Sequence, residues 1–101
     1  LIAAQAGDIL RKTCPTISAR MFVVWDKAYA LRQYAIDKGY TEEEVRAFVK
    51  DPVQKARVQA AAEEILAASG AVPGDVASYC AAGRVEIAKG TVLGQIIRSS
   101  E

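Results

Sequence analysis

Proline and glycine recur at Pro15, Gly39, Pro52, Gly70, Pro73, Gly74 and Gly90, leaving segments that suit short helices and rule out a long continuous rod. Each segment after the first also opens near a residue able to satisfy the free N–H groups of a first helical turn. A first helix is expected from about Ile2 to Lys12, ending before Cys14-Pro15 because the residue before proline disfavours the α region. Thr16 or Ser18 caps a long second helix to about Lys38, with Gly39 as its stop. Thr41 and Glu44 form a capping box for a third helix to about Lys50. Asp51 caps a fourth, with Pro52 at its first position and Gly70 past its end. Val72-Pro73-Gly74-Asp75 reads as a turn, and Asp75 caps a fifth helix that stops at Gly90. Thr91 starts a last short helix through Ile97. No run alternates long enough to predict a strand. The expected fold is all-α: one domain over residues 1–101, a small disulfide-stapled bundle of five to six helices.

Cys14 and Cys80 are the only cysteines. Cys14 sits at the first helical break, and Cys80 lies on the apolar stripe of the fifth helix. An even count in a short chain points to one long-range disulfide and an oxidising compartment. A thiol just before a helix can also have a lowered pKa, so a redox-active pair stands beside the structural bond, as do two free thiols. In the loop-closure account such a bond contributes roughly 4 kcal/mol. The staple matters because the fourth helix is rich in alanine, which favours helix but buries little area per turn.

The second helix carries most of the aromatic residues. At 100° per residue, Met21, Val24, Trp25, Ala28, Leu31, Ala35 and Ile36 fall on one broad apolar arc. Arg32 projects into that arc, where it either pairs with a carboxylate such as Glu86 or Asp75 or anchors an acidic group of a partner. Val23, Ala30 and Tyr34 project on the polar side, as packing residues or as a contact patch. The fifth helix shows a stripe of Val76, Cys80, Gly83 and Ile87. Glycine inside a helix costs about 1 kcal/mol against alanine, so Gly83 predicts close approach of another backbone.

The chemistry is sparse. The chain has no histidine, which removes the commonest general base and metal ligand, and two cysteines alone do not make a structural zinc site. No phosphate loop or Cys-x-x-Cys is present. Glu42-Glu43-Glu44 sits in a first helical turn, where carboxylates favour the helix dipole. The expectation is no enzyme, no metal and no cofactor. Thirteen Lys and Arg against twelve Asp and Glu leave a formal charge of +1, with the signs interleaved. That pattern argues against nucleic acid and anionic lipid as partners. No stretch is apolar enough to span a bilayer. The Leu1 start is consistent with a mature chain whose export signal has been removed, and a chain trimmed in another way would begin the same.

Lys12-Thr-Cys-Pro-Thr-Ile-Ser-Ala-Arg20 and Val72-Pro-Gly-Asp-Val-Ala-Ser-Tyr-Cys80, followed by Gly83-Arg84, resemble a family of small exported alphaproteobacterial proteins whose domain is of unknown function. Gly39-Tyr40-Thr41 and Asp51-Pro52 fit as well, so the resemblance spans nearly the whole chain. It implies a cleaved signal, a periplasmic location and a disulfide, and it carries no catalytic residue. The expected function is that of a non-enzymatic periplasmic interaction protein, an accessory or assembly subunit docked on a membrane complex. An inner-membrane respiratory complex is the first host considered, by analogy with stapled helical subunits of mitochondrial complexes. Phe22, Val23, Arg32 and Tyr34 are the candidate contacts. The alternative is a thiol-disulfide or stress-related factor using Cys14, and a weaker one is a carrier of an apolar ligand held between helices.

Overall fold

The computed structural model describes residues 1–100. Its elements in order are α1 (Ile2–Thr13), β1 (Ile17–Ala19), α2 (Met21–Asp37), α3 (Glu42–Lys50), α4 (Pro52–Ala68), α5 (Val76–Lys89), α6 (Val92–Ile96) and β2 (Ile97–Ser99). The protein is an all-α small bundle of six helices with a disulfide between Cys14 and Cys80. Most of the caps fall where the sequence puts them. Thr41 and Glu44 complete the capping box of α3, with the Glu44 N–H donating to Thr41 Oγ1 at 3.1 Å and the Thr41 N–H to Glu44 Oε1 at 3.2 Å. Asp51 accepts from the N–H groups of Val53 and Gln54 at the start of α4. Asp75 accepts from the Ser78 N–H at the start of α5. Gly90 ends α5 at φ 67°, in the left-handed region that glycine enters without penalty.

Two short segments depart from expectation. Residues 17–19 and 97–99 form an antiparallel ribbon with Ile17 opposite Ser99 and Ala19 opposite Ile97. Thr16 and Ser18 therefore do not cap α2, which begins later with Arg20 as its N-cap and no side-chain cap bond. The last helix likewise ends at Ile96 rather than Ile97. The ribbon satisfies backbone groups that a longer helix would have used internally, and it buries Ile17 and Ile97.

The core lies between α1, α4, α5, α6 and the ribbon. Leu10, Leu66, Ile97 and Cys14 are its largest fully buried side chains, and alanines such as Ala6, Ala62 and Ala82 fill between them. Leu10 and Ala6 share one face of α1, four residues apart, and that face meets α4, α5 and α6. Ala62 and Leu66 repeat the spacing on α4. Neither α2 nor α3 contributes a buried residue. Of the arc read on α2, Val24, Ala35 and Ile36 are half-buried, while Met21, Trp25, Ala28 and Leu31 are exposed. The arc is thus not a core face along its length: α2 rests on α6 at one end and α3 at the other, and its middle is uncovered.

Gly83 also has a different neighbour from the one its position suggests. A β-carbon there would collide with Cδ1 of Ile17, a side chain. The close backbone approach is made instead by Gly94 in α6, which lies against the Glu86 carbonyl and Ile87 in α5.

Candidate interaction surface

Cys14 and Cys80 join α1 to the first half of α5, with sulfurs 2.00 Å apart and Cα atoms 5.3 Å apart. Cys14 is completely buried and Cys80 nearly so. Thr16 Oγ1 lies 3.1 Å from the Cys14 sulfur. No free cysteine occurs among the described residues. A disulfide is compatible with an oxidising, extracytoplasmic compartment.

Glu86 is the one buried charged residue among those described. Its carboxylate accepts from the Ser69 hydroxyl past the end of α4 and from the Thr91 hydroxyl ahead of α6, both at 2.5 Å. Burial alone would push its pKa up. The Ser69 and Thr91 donors, with the charge of Lys89, outweigh that and hold it below the usual carboxylate value. Thr91 Oγ1 also accepts the Gly94 N–H at 3.1 Å. Glu86 thereby fastens three helices, and all of its bonds run inward.

The surface chemistry collects on α2. Phe22 is 84% exposed, Trp25 61%, Tyr29 60% and Tyr34 61%, and Tyr40 just beyond the helix is 57% exposed. Phe22 and Trp25 meet edge to face with ring centroids 5.8 Å apart. Their exposure follows from where α2 is anchored: Val23 and Val24 pack against the core near the start of the helix, and the Arg20 N–H donates to the Ile96 carbonyl at 2.7 Å. The opposite side of α2, with Phe22, Trp25 and Tyr29, is left to solvent, while Tyr34 shares the side of Val23 but lies three turns further along the helix, away from that anchor. Monomeric proteins rarely leave such aromatic groups together without a use for them.

The four residues singled out from the sequence fall into different settings. Phe22 and Tyr34 are exposed, and the Lys38 ammonium sits over the Tyr34 ring, 5.4 Å from its centroid. Val23 is half-buried against the core, in the packing role. Arg32 is exposed and pairs with Glu42 at the start of α3, not with Glu86 or Asp75, which are engaged elsewhere. Trp25 and Tyr29 belong to the exposed surface and were not among the four. Their signal is the spacing of Phe22, Trp25, Tyr29, Arg32 and Ile36, separated by three, four, three and four residues, which aligns them on one face.

Two grooves flank the core. The larger, about 670 Å³, lies between α1, the end of α3 and the start of α4, lined by Ala4, Gln5, Phe48, Val49, Lys55 and Gln59 among others. The smaller, about 320 Å³, runs beneath the start of α2 past Met21, Val24, Gly7 and Ile96. Among the described residues no group of three or more His, Cys, Asp or Glu side chains is placed to hold a metal ion. No described helix is long and apolar enough to cross a membrane.

Fold and surface together define a small disulfide-stapled helical bundle that presents an aromatic helix to its surroundings. The chain belongs to a family of unknown function (DUF5333), whose profile matches residues 1–98, in keeping with the resemblance read around both cysteines. No curated protein and no solved structure matches it.

Proposed function

We propose that this is a non-enzymatic interaction protein of the periplasm, acting as an accessory or assembly subunit on the periplasmic side of a membrane complex, with a respiratory complex the first host to examine. The observation that carries this reading is α2: a 17-residue helix without one buried residue, bearing Phe22, Trp25, Tyr29 and Tyr34 on its surface. A few residues carry most of the binding energy at protein interfaces, and aromatic side chains such as Trp and Tyr are enriched among them. The rigid base for that helix comes from the disulfide and from Glu86, which tie down the elements beneath it. Burial of Cys14 favours a permanent bond over the alternative of a thiol-exchange factor, since an exchanging thiol needs access to its substrate.

Photocrosslinking tests the proposal. A photoreactive amino acid at Phe22 or Tyr34 should give a discrete adduct with a membrane protein in intact cells, and the adduct should survive detergent solubilisation. The same probe on the exposed surface of α4, at Arg57, should give none. If neither α2 position crosslinks and the protein leaves native membranes unaccompanied, the docking role is excluded.

A further inference from the structure

We propose that the outer part of α2 and all of α3, residues 33–50, form an arm that unfolds as one unit while the disulfide-stapled body stays folded. The inference rests on packing within the chain and not on the docking role, and it concerns the purified protein alone.

The first argument is burial. The 17 residues of α2 and the 9 of α3 include no buried residue. Along α3 only Val45 is even half-buried. Residues 28–32 of α2 are exposed without interruption. That run is longer than the about 3.6 residues of a helical turn, so at that level no side of the helix is covered. Before the bare turn, Val23 and Val24 hold α2 against the core. Beyond it the half-buried residues are Gln33, Ala35 and Ile36, where α2 rests on α3.

The second argument is where the ties lie. The disulfide joins α1 to α5. Glu86 joins α5 to Ser69 behind α4 and Thr91 ahead of α6. The ribbon pairs β1 with β2. All three lie in the body. The arm is held by its own Thr41–Glu44 box, by the exposed pair of Arg32 with Glu42, and by the Tyr40 N–H donating to the Ala35 carbonyl at 3.1 Å. It leans on α4, yet Phe48 and Val49 at that end remain 48% and 44% exposed. Caps and exposed ion pairs stabilise a helix only slightly. With nine residues, α3 is below the roughly 12–15 at which an isolated helix becomes marginal in water. It therefore depends on thin contacts with its neighbours.

Segments with few buried apolar contacts open at a lower free energy than the core, and they do so in contiguous cooperative units. Residues 33–50 fit that description. The bare turn of α2 bounds them on one side, and the Asp51 cap of α4 bounds them on the other. Tyr34 belongs to the arm, whereas Phe22 and Trp25 stand on the anchored part of α2. The aromatic surface thus has a fixed section and an adjustable one, and a partner seated on both would order the arm as it binds.

Native-state hydrogen exchange on the disulfide-intact protein, read residue by residue by NMR at low urea concentrations, tests the proposal. The hydrogen-bonded amides of residues 33–50 should share one opening equilibrium, at least about a hundredfold more open than that of the α1 and α5 amides. Its urea dependence should be weaker, because less surface is exposed when the arm opens. Glu86→Gln should speed exchange in α1 and α5 and leave the arm unchanged, since the arm opens without the body. Thr41→Ala should speed exchange in the arm by about fivefold, the effect of losing a helix cap. Arm amides as protected as those of α1 and α5 in the wild type overturn the proposal. So do arm amides that follow α1 and α5 in Glu86→Gln. Exchange that scatters from amide to amide with no urea dependence is fraying, not one opening, and overturns it too. None of these outcomes bears on the crosslinking result, so this inference and the docking role can fail separately.

Discussion

Gly94 lies against the peptide carbonyl of Glu86, close enough that a β-carbon at 94 would overlap backbone atoms of α5. Gly83 is crowded too, but by the δ-methyl tip of Ile17. The difference decides how each position tolerates alanine. Backbone in the middle of a helix cannot step aside, so Gly94→Ala should move α6 and cost about 3 kcal/mol, the upper part of the range for overpacking. At Gly83 the Ile17 side chain can shift within its pocket, and alanine recovers about 1 kcal/mol of helix propensity. Gly83→Ala should therefore cost about 1–2 kcal/mol. Urea unfolding of both variants checks the order.

Glu86 should make stability depend on pH in a defined direction. Its folded pKa is depressed below the ordinary 4.5, so the stabilisation it gives is complete above that value and is lost as pH falls through the lower, folded one. Wild type should weaken progressively below about pH 5. Glu86→Gln should cost about 1–3 kcal/mol near neutrality, because an amide cannot accept from both Ser69 and Thr91 as the carboxylate does. The gap between the two proteins should close as pH drops. Asp8 is also depressed, first by its bond from Arg11 and then by Lys12, but it lies at the surface and such pairs contribute little. Thermal unfolding between pH 3 and 7 separates the two groups, since only the Glu86 variant should flatten the curve.

What the sequence made legible was local. The α3 box from Thr41 and Glu44, the Asp51 and Asp75 caps and the Gly90 stop each depend on residues a few positions apart, and all are present. The ribbon of Ile17–Ala19 with Ile97–Ser99 depends on two three-residue segments from opposite ends of the chain. Three residues are too few to show alternation, so only the tertiary structure reveals the pairing. The α2 helix misled for another reason. It carries apolar residues on more than one side, and periodicity alone does not say which side meets the core; the anchoring of Val23 and Val24 decides it. Gly94 carries no such signal in the sequence, because a glycine in a five-residue helix resembles loop punctuation, whereas Gly83 sits inside a regular stripe.

The disulfide closes a loop with a sequence separation of 66, for which the chain-entropy account gives about 4 kcal/mol. That is a large share of what a domain of this size has in total. Cys14→Ala with Cys80→Ala should lower the unfolding free energy by about 2–4 kcal/mol, since measured losses often fall below the entropic figure. Because Cys14 is fully buried, reductant alone should leave the bond intact in native buffer, and reduction should begin once denaturant opens the core. Thiol labelling followed by mass spectrometry, with and without urea, reads both results. Rapid reduction of the folded protein would revive the thiol-exchange role.

Substitutions on α2 and in the core should behave in opposite ways, and the contrast tests the division of labour in this fold. Phe22 and Trp25 are among the largest side chains in the protein, yet they touch each other and solvent more than they touch the core. Phe22→Ala and Trp25→Ala should each change the unfolding free energy by no more than about 0.5 kcal/mol. Leu10 is smaller but fully buried, and Leu10→Ala should cost about 2–5 kcal/mol through lost burial and the cavity left behind. The order runs against side-chain size, so it cannot arise from hydrophobicity alone. If Trp25→Ala destabilised the protein as strongly as Leu10→Ala, α2 would be folded back over the core, and the exposed aromatic surface on which the docking proposal rests would not exist in solution.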